Sequence, residues 1–295
     1  MDYQQFLNCV QTRVSETMGE EVDVEVRRVL KNNGCELDGL TIMRKESEGS
    51  PTIYLNGYYE QYMSGRSEEA IVREILQIYE INKGRVMISA ADFGNFENIR
   101  GKIVFKLINY DANTKLLESV PYKRYLDLAV VFCVLVESSK DGSATALIYN
   151  AHLALWNVTD DEIYELAKKN TPVILPYTIT RMDAFLDEEL LEGQALTDAE
   201  YMYILSNKAC INGASSMLYE GLLERFSQYF ESDVIIIPSS IHEVILLPWN
   251  EQYNIQELNE LVGDVNASIV DTEEMLANNV YIYSREEKIT MIAAK

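Results

Sequence analysis

The hydrophobic and polar positions of residues 233–248, DVIIIPSSIHEVILLP, predict a strand, a tight turn and a returning strand. Val234 to Ile237 and Val244 to Leu247 are short apolar runs rich in β-branched residues, and a proline follows each run. Runs of this length and composition are typical of strands that are buried on both faces. Polar residues fill the turn between the two runs, which makes this hairpin the first place to look for a chemical site. These residues are Ser239, Ser240, His242 and Glu243.

The N-terminal part of the chain shows helical and alternating patterns in turn. Residues 1–33 carry apolar stripes at helical spacing and predict two helices that break near Gly19. Residues 37–55 alternate around a polar stretch and predict a hairpin. Ser67, followed by two glutamates and an apolar stripe at helical spacing, predicts the start of a further helix.

The middle of the chain predicts three strands and a capped helix. Residues 102–110 alternate cleanly, and residues 126–137 form a strongly hydrophobic run that an Asp-Gly turn joins to a returning strand at 144–149. Thr159 and Glu162 have the spacing of a capping box, so a helix should begin at Thr159. We expect Asn170 and Pro172 to end this helix.

The C-terminal part repeats this mixture of strands and amphipathic helices. Strands are predicted at 201–205, 233–248 as the hairpin, 280–284 and 288–293, and helices at 214–230 and 255–267. Strands that follow one another as hairpins, with helices outside them, define an α+β fold class with mostly antiparallel sheets and helices packed on one face.

The same pattern suggests two closely packed units, separated by a change in charge. We predict an N-terminal α+β unit at 1–176, an acidic connector at 177–194 and a C-terminal α+β unit at 195–295. Few core contacts can cross so charged a segment unless it is a surface helix. A single continuous domain that contains such a helix is the alternative.

Acidic residues dominate the composition, with a net charge of −22 and a sequence pI near 4.5. This balance argues against direct binding of nucleic acid, which needs clustered lysine and arginine. The acidic surface either keeps the protein soluble or binds a basic partner. Two acidic segments, 183–200 and 251–287, are the candidate binding surfaces. Their candidate residues are Asp183, Asp187, Glu188, Glu189, Glu192, Glu257, Glu260, Asp264, Glu273 and Glu274.

Cofactor and metal motifs are missing from the sequence, and we predict neither a metal nor a cofactor. The four cysteines are far apart and have no CxxC spacing, and HEVIL is not the HExxH zinc motif. The phosphate-binding patterns GxxxxGK[ST] and GxGxxG do not occur. The N-terminus lacks the features of a signal peptide, and no run of about 18 apolar residues suggests a membrane span, so we expect a cytoplasmic protein.

A hydrolase-type site around Ser240, His242 and Glu243 is the alternative functional hypothesis. A serine nucleophile needs a nearby base and an acid that orients the base. On a strand, however, Ser240 and His242 project to one face and Glu243 to the other, so the run alone does not assemble a relay. Serines that bond to backbone in the turn, with His242 bonded to a neighbouring strand, fit the same residues.

Several segments resemble an uncharacterised protein family of Gram-positive gut bacteria that is catalogued only as a domain of unknown function. They are PTIYLNGYYEQYMSG, SNKACINGASSMLYEGLLERF, IIIPSSIHEVILLP and NVYIY. The resemblance covers the chain from about residue 35 to the end. It implies a cytoplasmic bacterial origin and carries over no activity, cofactor or site residues.

The sequence therefore favours a non-enzymatic cytoplasmic interaction protein whose acidic surface docks a basic protein. A nucleic-acid-binding protein is one such partner, and anti-defence or DNA-mimic roles belong to this class.

Overall fold

The computed structural model describes residues 1–44, 50–82, 90–139, 142–185 and 201–293. The chain divides into two compact units, Met1–Gly94 and Asn95–Lys295. Within the described residues the strands form three sheets, and every strand pair is antiparallel. The predicted α+β fold class is confirmed.

The first unit packs two long helices on a three-stranded sheet. Its elements are α1 (Tyr3–Met18), β1 (Val22–Leu30), β2 (Glu36–Arg44), β3 (Thr52–Tyr54), α2 (Asn56–Met63), α3 (Glu68–Asn82) and α4 (Ala90–Gly94), with the sheet in the order β1-β2-β3. One apolar stripe of α1, including Phe6 and Val10, and one of α3, including Ile71 and Ile75, form the core with the sheet. The predicted cap of α3 is present, since Ala70 N–H donates to Ser67 Oγ at 3.3 Å.

One prediction for this unit is wrong, because the second helix predicted within residues 1–33 is strand β1. Val22, Val24 and Val26 occupy alternate positions, and Val24 pairs with Ile42 across the sheet. The same valines also fit a helical stripe. β-branched side chains favour the strand when a partner strand is available, and this partner cannot be recognised from local spacing.

The second unit contains the remaining two sheets. Its elements are α5 (Phe96–Ile99), β4 (Ile103–Asn109), α6 (Thr114–Leu117), β5 (Tyr122–Tyr125), β6 (Leu128–Ser139), β7 (Gly142–Leu147), α7 (Asn150–Trp156), α8 (Asp160–Ile174), β8 (Tyr177–Arg181), β9 (Tyr203–Asn207), α9 (Leu222–Phe230), β10 (Val234–Ser240), β11 (Glu243–Pro248), α10 (Ile255–Ser268), β12 (Tyr281–Ser284) and β13 (Ile289–Ile292). In one sheet β6 pairs with β4, β5 and β7, and the six-stranded sheet has the order β13-β12-β10-β11-β9-β8.

Helix α8 begins at the predicted capping box of Thr159 and Glu162 but does not end where predicted. It continues through Pro172 to Ile174. The buried Thr171 hydroxyl donates to the Ala167 carbonyl at 2.6 Å and accepts from Phe105 N–H of β4 at 3.0 Å. This anchor to the sheet holds the helix together where proline removes a backbone hydrogen bond.

The six-stranded sheet is built around the predicted hairpin, which forms its centre as β10 and β11. On one face Val262 of α10 packs with Ile235 and Leu247. On the other face Phe226 of α9 lies against the Tyr203 ring, with centroids 5.5 Å apart. Helices therefore cover both faces of this sheet, whereas the pattern predicted them on one.

The helix predicted at 214–230 is two helices. A 3-10 helix spans Gly213–Leu218, and α9 starts at Leu222 after Gly221, which has a φ of 68°. The extended Tyr219 caps the end of the first helix, and the left-handed Gly221 caps the start of the second. The apolar spacing is common to both helices, so the pattern alone does not show the break.

The predicted acidic connector at 177–194 does not coincide with the division between the two units. Strand β8 lies inside the predicted connector and pairs along its whole length with β9, from Tyr177 with Asn207 to Arg181 with Tyr203. Strand β8 therefore belongs to the second unit, and the division between the units falls at Gly94 and Asn95. Residues 186–200 lie outside the described residues.

Candidate functional site

The turn between β10 and β11 is a two-residue loop of Ile241 and His242, closed by the pair Ser240 and Glu243. Other segments hold this loop at its backbone. Ile241 N–H donates to the Glu274 carbonyl at 2.8 Å, and the Ser206 hydroxyl donates to the His242 carbonyl at 2.8 Å. The hairpin tip is therefore fastened to β9 on one side and to the segment after α10 on the other.

The imidazole of His242 is one third exposed and contacts residues that are distant in sequence. Asn212 N–H donates to Nδ1 at 3.1 Å, and Nε2 lies 3.6 Å from Glu274 Oε1. Because Nδ1 accepts a hydrogen bond, the neutral ring carries its proton on Nε2 and directs it towards the Glu274 carboxylate. The arrangement orients the ring and satisfies a backbone N–H of the buried Asn212.

The two serines of the turn have other partners. Ser240 Oγ accepts from His242 N–H at 3.0 Å, and the Ser239 hydroxyl donates to Glu243 Oε1 at 3.2 Å. In the described part of the chain, neither hydroxyl is hydrogen-bonded to the imidazole. The four candidate catalytic residues are adjacent, but their hydrogen bonds divide them into separate local contacts and do not form the nucleophile, base and acid series that acyl transfer needs.

Glu274 is the residue of this site whose role sequence reasoning missed. It appears among the candidate acidic docking residues, yet its carboxylate faces His242 and its carbonyl binds the hairpin loop. Local sequence signals do not pair residues so far apart. Spacing rules identify neighbours on one helix or strand only.

The second histidine, His152, has a structural contact at the start of α7. Tyr149 N–H donates to its Nδ1 at 3.0 Å, and its ring lies 5.4 Å from the Trp156 ring. Burial lowers the pKa of the His152 imidazole below its ordinary value. The neutral form is the one that can accept the Tyr149 hydrogen bond.

The outer face of α10 carries the second candidate acidic surface, and we call it the α10 face. It consists of Glu257, Glu260, Leu261 and Asp264, which lie three to four residues apart and are all exposed. Asn254 and Gln256 side-chain amides donate to Glu257 and Glu260, at 2.9 and 3.1 Å. Among the described residues no cation forms an ion pair with the three carboxylates, and residues 226–284 contain no lysine or arginine.

Apolar side chains accompany these charges. Leu261 is 56% exposed and Ile269, directly after α10, is 78% exposed. An exposed leucine alone is common on protein surfaces. Here it stands between carboxylates on a helix face, which gives the α10 face both a charge and an apolar contact point.

Of the other acidic candidates, only Asp183, Glu273 and Glu274 lie in the described part of the chain. Asp183 forms an ion pair with Arg181, which neutralises the Asp183 carboxylate. The Arg181 guanidinium also lies 3.6 Å from the centroid of the Tyr201 ring. Glu273 is half-buried. The remaining candidates, Asp187, Glu188, Glu189 and Glu192, lie outside the described residues.

Across residues 1–44, 50–82, 90–139, 142–185 and 201–293, no cluster of three histidine, cysteine, aspartate or glutamate side chains has the geometry to hold a metal ion. Over the same ranges, no helix combines the length and the apolar composition needed to cross a bilayer.

These features define the chain as an acidic α+β protein with a fastened central hairpin and an exposed acidic helix. It belongs to the family of unknown function DUF5688, whose model matches residues 3–285. The match confirms the resemblance to a family catalogued as a domain of unknown function, and it begins much closer to the N-terminus than residue 35. No curated protein and no solved structure matches the chain.

Proposed function

We propose that this protein is a non-enzymatic, cytoplasmic interaction protein that binds a basic protein through the α10 face. The observation that supports the proposal is the charge of this face. Three exposed carboxylates surround an exposed leucine, and no lysine or arginine occurs between Arg225 and Arg285.

The two kinds of side chain on the α10 face have different tasks in such an interface. Carboxylates attract a basic partner over about one screening length, roughly 8 Å at physiological salt, and so raise the rate of association. Leu261 on this face, with Ile269 just beyond the end of the helix, supplies apolar area that is buried when the partner binds, which slows dissociation. The partner should therefore present lysine or arginine beside an apolar pocket.

Nucleic-acid-binding proteins are a large class with such basic surfaces. A carboxylate surface competes with phosphates for the same cations, which is the chemistry of a DNA mimic and of an anti-defence protein. We include these roles within the proposal, and a competition experiment distinguishes them from other basic partners.

The test compares the wild type with two variants that lose the same charge. One carries Glu257→Gln, Glu260→Gln and Asp264→Asn on the α10 face. The control carries Glu16→Gln, Glu20→Gln and Glu21→Gln at exposed positions of the first unit. Each full-length protein is immobilised, exposed to host lysate at low salt, and the affinity of the retained basic protein is then measured with purified components.

We expect the wild type and the control to bind the same basic protein equally well. The α10 variant should bind about tenfold more weakly, because each of the three exposed charge contacts contributes about 0.5 kcal/mol to the free energy of binding. Binding should weaken strongly at about 0.5 M salt, where the screening length is about 4 Å. Competing DNA should displace a nucleic-acid-binding partner. Retention of no basic protein, or equal binding by the α10 variant and the control, would refute the proposal.

A further inference from the structure

The second unit contains a cavity of about 580 Å³ whose rim carries an unusual number of cations for so acidic a chain. It opens beside α8, the end of β9 and the start of α9. Its volume lies within the range of pockets that hold small organic ligands, roughly 300–1,000 Å³. None of its lining residues was a candidate in the sequence.

Aromatic rings form the inner wall of this cavity. Phe105 and Tyr219 are buried, and their rings meet edge to face with centroids 6.1 Å apart. The Tyr219 hydroxyl donates to the Leu175 carbonyl at 2.7 Å, which fixes the ring, and burial raises the pKa of this hydroxyl to about 12. Tyr177 adds a third ring at the rim and is 42% exposed.

Four cations line the cavity and come from three parts of the chain. Lys168 and Lys169 belong to α8, Lys208 follows β9, and Arg225 lies on α9. Two carboxylates, Glu165 and Glu220, share the rim, and only Glu165 is in range of a cation, 3.5 Å from Lys168. Among the described residues, no carboxylate lies within ion-pair distance of Lys169, Lys208 or Arg225.

The neighbouring cavity of the same unit, about 480 Å³, shows the arrangement expected for this composition. Its cation, Lys288, forms an ion pair with Glu224. A chain with 47 carboxylates and 25 lysines and arginines can easily neutralise its cations. Cations that gather without such partners repel one another, and an anion bound among them removes this repulsion.

We propose that the cation-lined cavity binds a nucleoside phosphate. Lys169, Lys208 and Arg225 bind the phosphate oxygens through charge-assisted hydrogen bonds. The base packs against the aromatic wall of Phe105, Tyr219 and Tyr177. Glu220 accepts hydrogen bonds from ribose hydroxyls or base amino groups, which explains why a carboxylate belongs in a site for an anion.

The proposal is tested by titrating the full chain with AMP, GMP, CMP and UMP in a calorimeter, with adenosine, inorganic phosphate and benzoate as partial ligands. We expect at least one nucleotide to bind at least about tenfold more tightly than any partial ligand, since only the nucleotide uses both the aromatic wall and the cations. No binding of any nucleotide at millimolar concentration would overturn the proposal. Equal binding of inorganic phosphate or benzoate would overturn it as well.

Variants locate the site. Lys208→Gln and Arg225→Gln should each weaken nucleotide binding by about tenfold, because each removes a charged donor. Tyr177→Ala should weaken the binding of the nucleotide but leave the binding of inorganic phosphate unchanged. The matched control is Arg73→Gln, which removes one exposed cation of the first unit and should have no effect. If Arg73→Gln weakens nucleotide binding equally, or if Lys208→Gln and Arg225→Gln both leave it unchanged, the cavity is not the binding site.

Discussion

His242 contacts three segments of the second unit that are distant from it in sequence. Its ring accepts from Asn212 N–H, its Nε2 faces Glu274, and its carbonyl accepts from Ser206. A buried N–H without a partner costs about as much free energy as its lost hydration, so the ring contributes to stability through the hydrogen-bond acceptor that it offers.

His242→Ala should therefore lower the free energy of unfolding by about 1–2 kcal/mol, because Asn212 N–H loses its acceptor. Ser239→Ala is the control, since its hydroxyl donates to the half-buried Glu243 carboxylate in the same hairpin, and it should cost no more than about 0.5 kcal/mol. Urea unfolding of both variants checks the difference.

The same variant also addresses the hydrolase alternative. Under the interaction proposal, wild type and His242→Ala should be equally inactive on generic ester, peptide and phosphate substrates. Wild-type turnover that disappears in His242→Ala without a matching loss of folded protein would assign a catalytic role to the turn.

The central hairpin depends on a close approach by the 3-10 helix at Gly213–Leu218. An added Cβ at Gly213 would lie 2.2 Å from Ser206 Oγ, 2.4 Å from the His242 carbonyl oxygen and 2.9 Å from Asn207 N. Two of these atoms belong to the backbone of neighbouring elements, so they cannot move aside without shifting β9 or the turn. Glycine is required here by space.

Gly213→Ala should cost about 3 kcal/mol of unfolding free energy, because the methyl group overpacks a site that has no room. Gly263→Ala is a matched control on α10, where an added Cβ meets nothing within 4 Å. It should instead stabilise the protein by about 0.5–1 kcal/mol through helix propensity. Denaturation midpoints of the two variants should move in opposite directions, and an unchanged midpoint for Gly213→Ala would contradict the close approach.

Patterns that depend on a single element predicted the fold well. The hairpin, α10, the cap of α3 and the capping box of α8 all carry their information within a few residues. Where a prediction failed, contacts between distant segments determined the structure. The apolar spacing of β1 also suits a helix, and its pairing with β2 makes it a strand. Pro172 stays in its helix because Thr171 is anchored to β4.

The candidate sites show the same division. The polar residues of the hairpin turn and the carboxylates of the α10 face are visible in the sequence, since each set lies on one element. The partnership of His242 with Glu274 and the gathering of cations around one cavity arise only when separate segments fold together. No spacing rule connects Lys169, Lys208 and Arg225.

Charge is distributed very unevenly along the chain. The chain has 47 carboxylates but only 25 lysines and arginines, and the region from 226 to 284 contains no lysine or arginine at all. The ion pairs that do form, such as Arg13 with Glu69, are largely exposed. Exposed pairs contribute little to stability, whereas repulsion among many like charges destabilises a compact state.

Added salt should therefore stabilise this protein. Between about 0.02 M and 0.5 M NaCl the screening length falls from roughly 21 Å to about 4 Å, which removes most repulsion between carboxylates that are not neighbours. We expect the thermal midpoint to rise by about 3 °C or more over this range, as measured by calorimetry. A protein held mainly by its surface ion pairs would show the opposite change.

Two kinds of variant on α10 test whether repulsion among the carboxylates arises at the α10 face. Neutralising Glu257, Glu260 and Asp264 together should raise the midpoint at low salt and reduce its further rise with salt, because the α10 face has no cation to lose. Gly263→Ala changes the same helix without changing its charge, and its midpoint should rise with salt as much as that of the wild type. If the midpoint of the wild type falls with salt, attraction within ion pairs outweighs repulsion and the carboxylates of the α10 face are not destabilising.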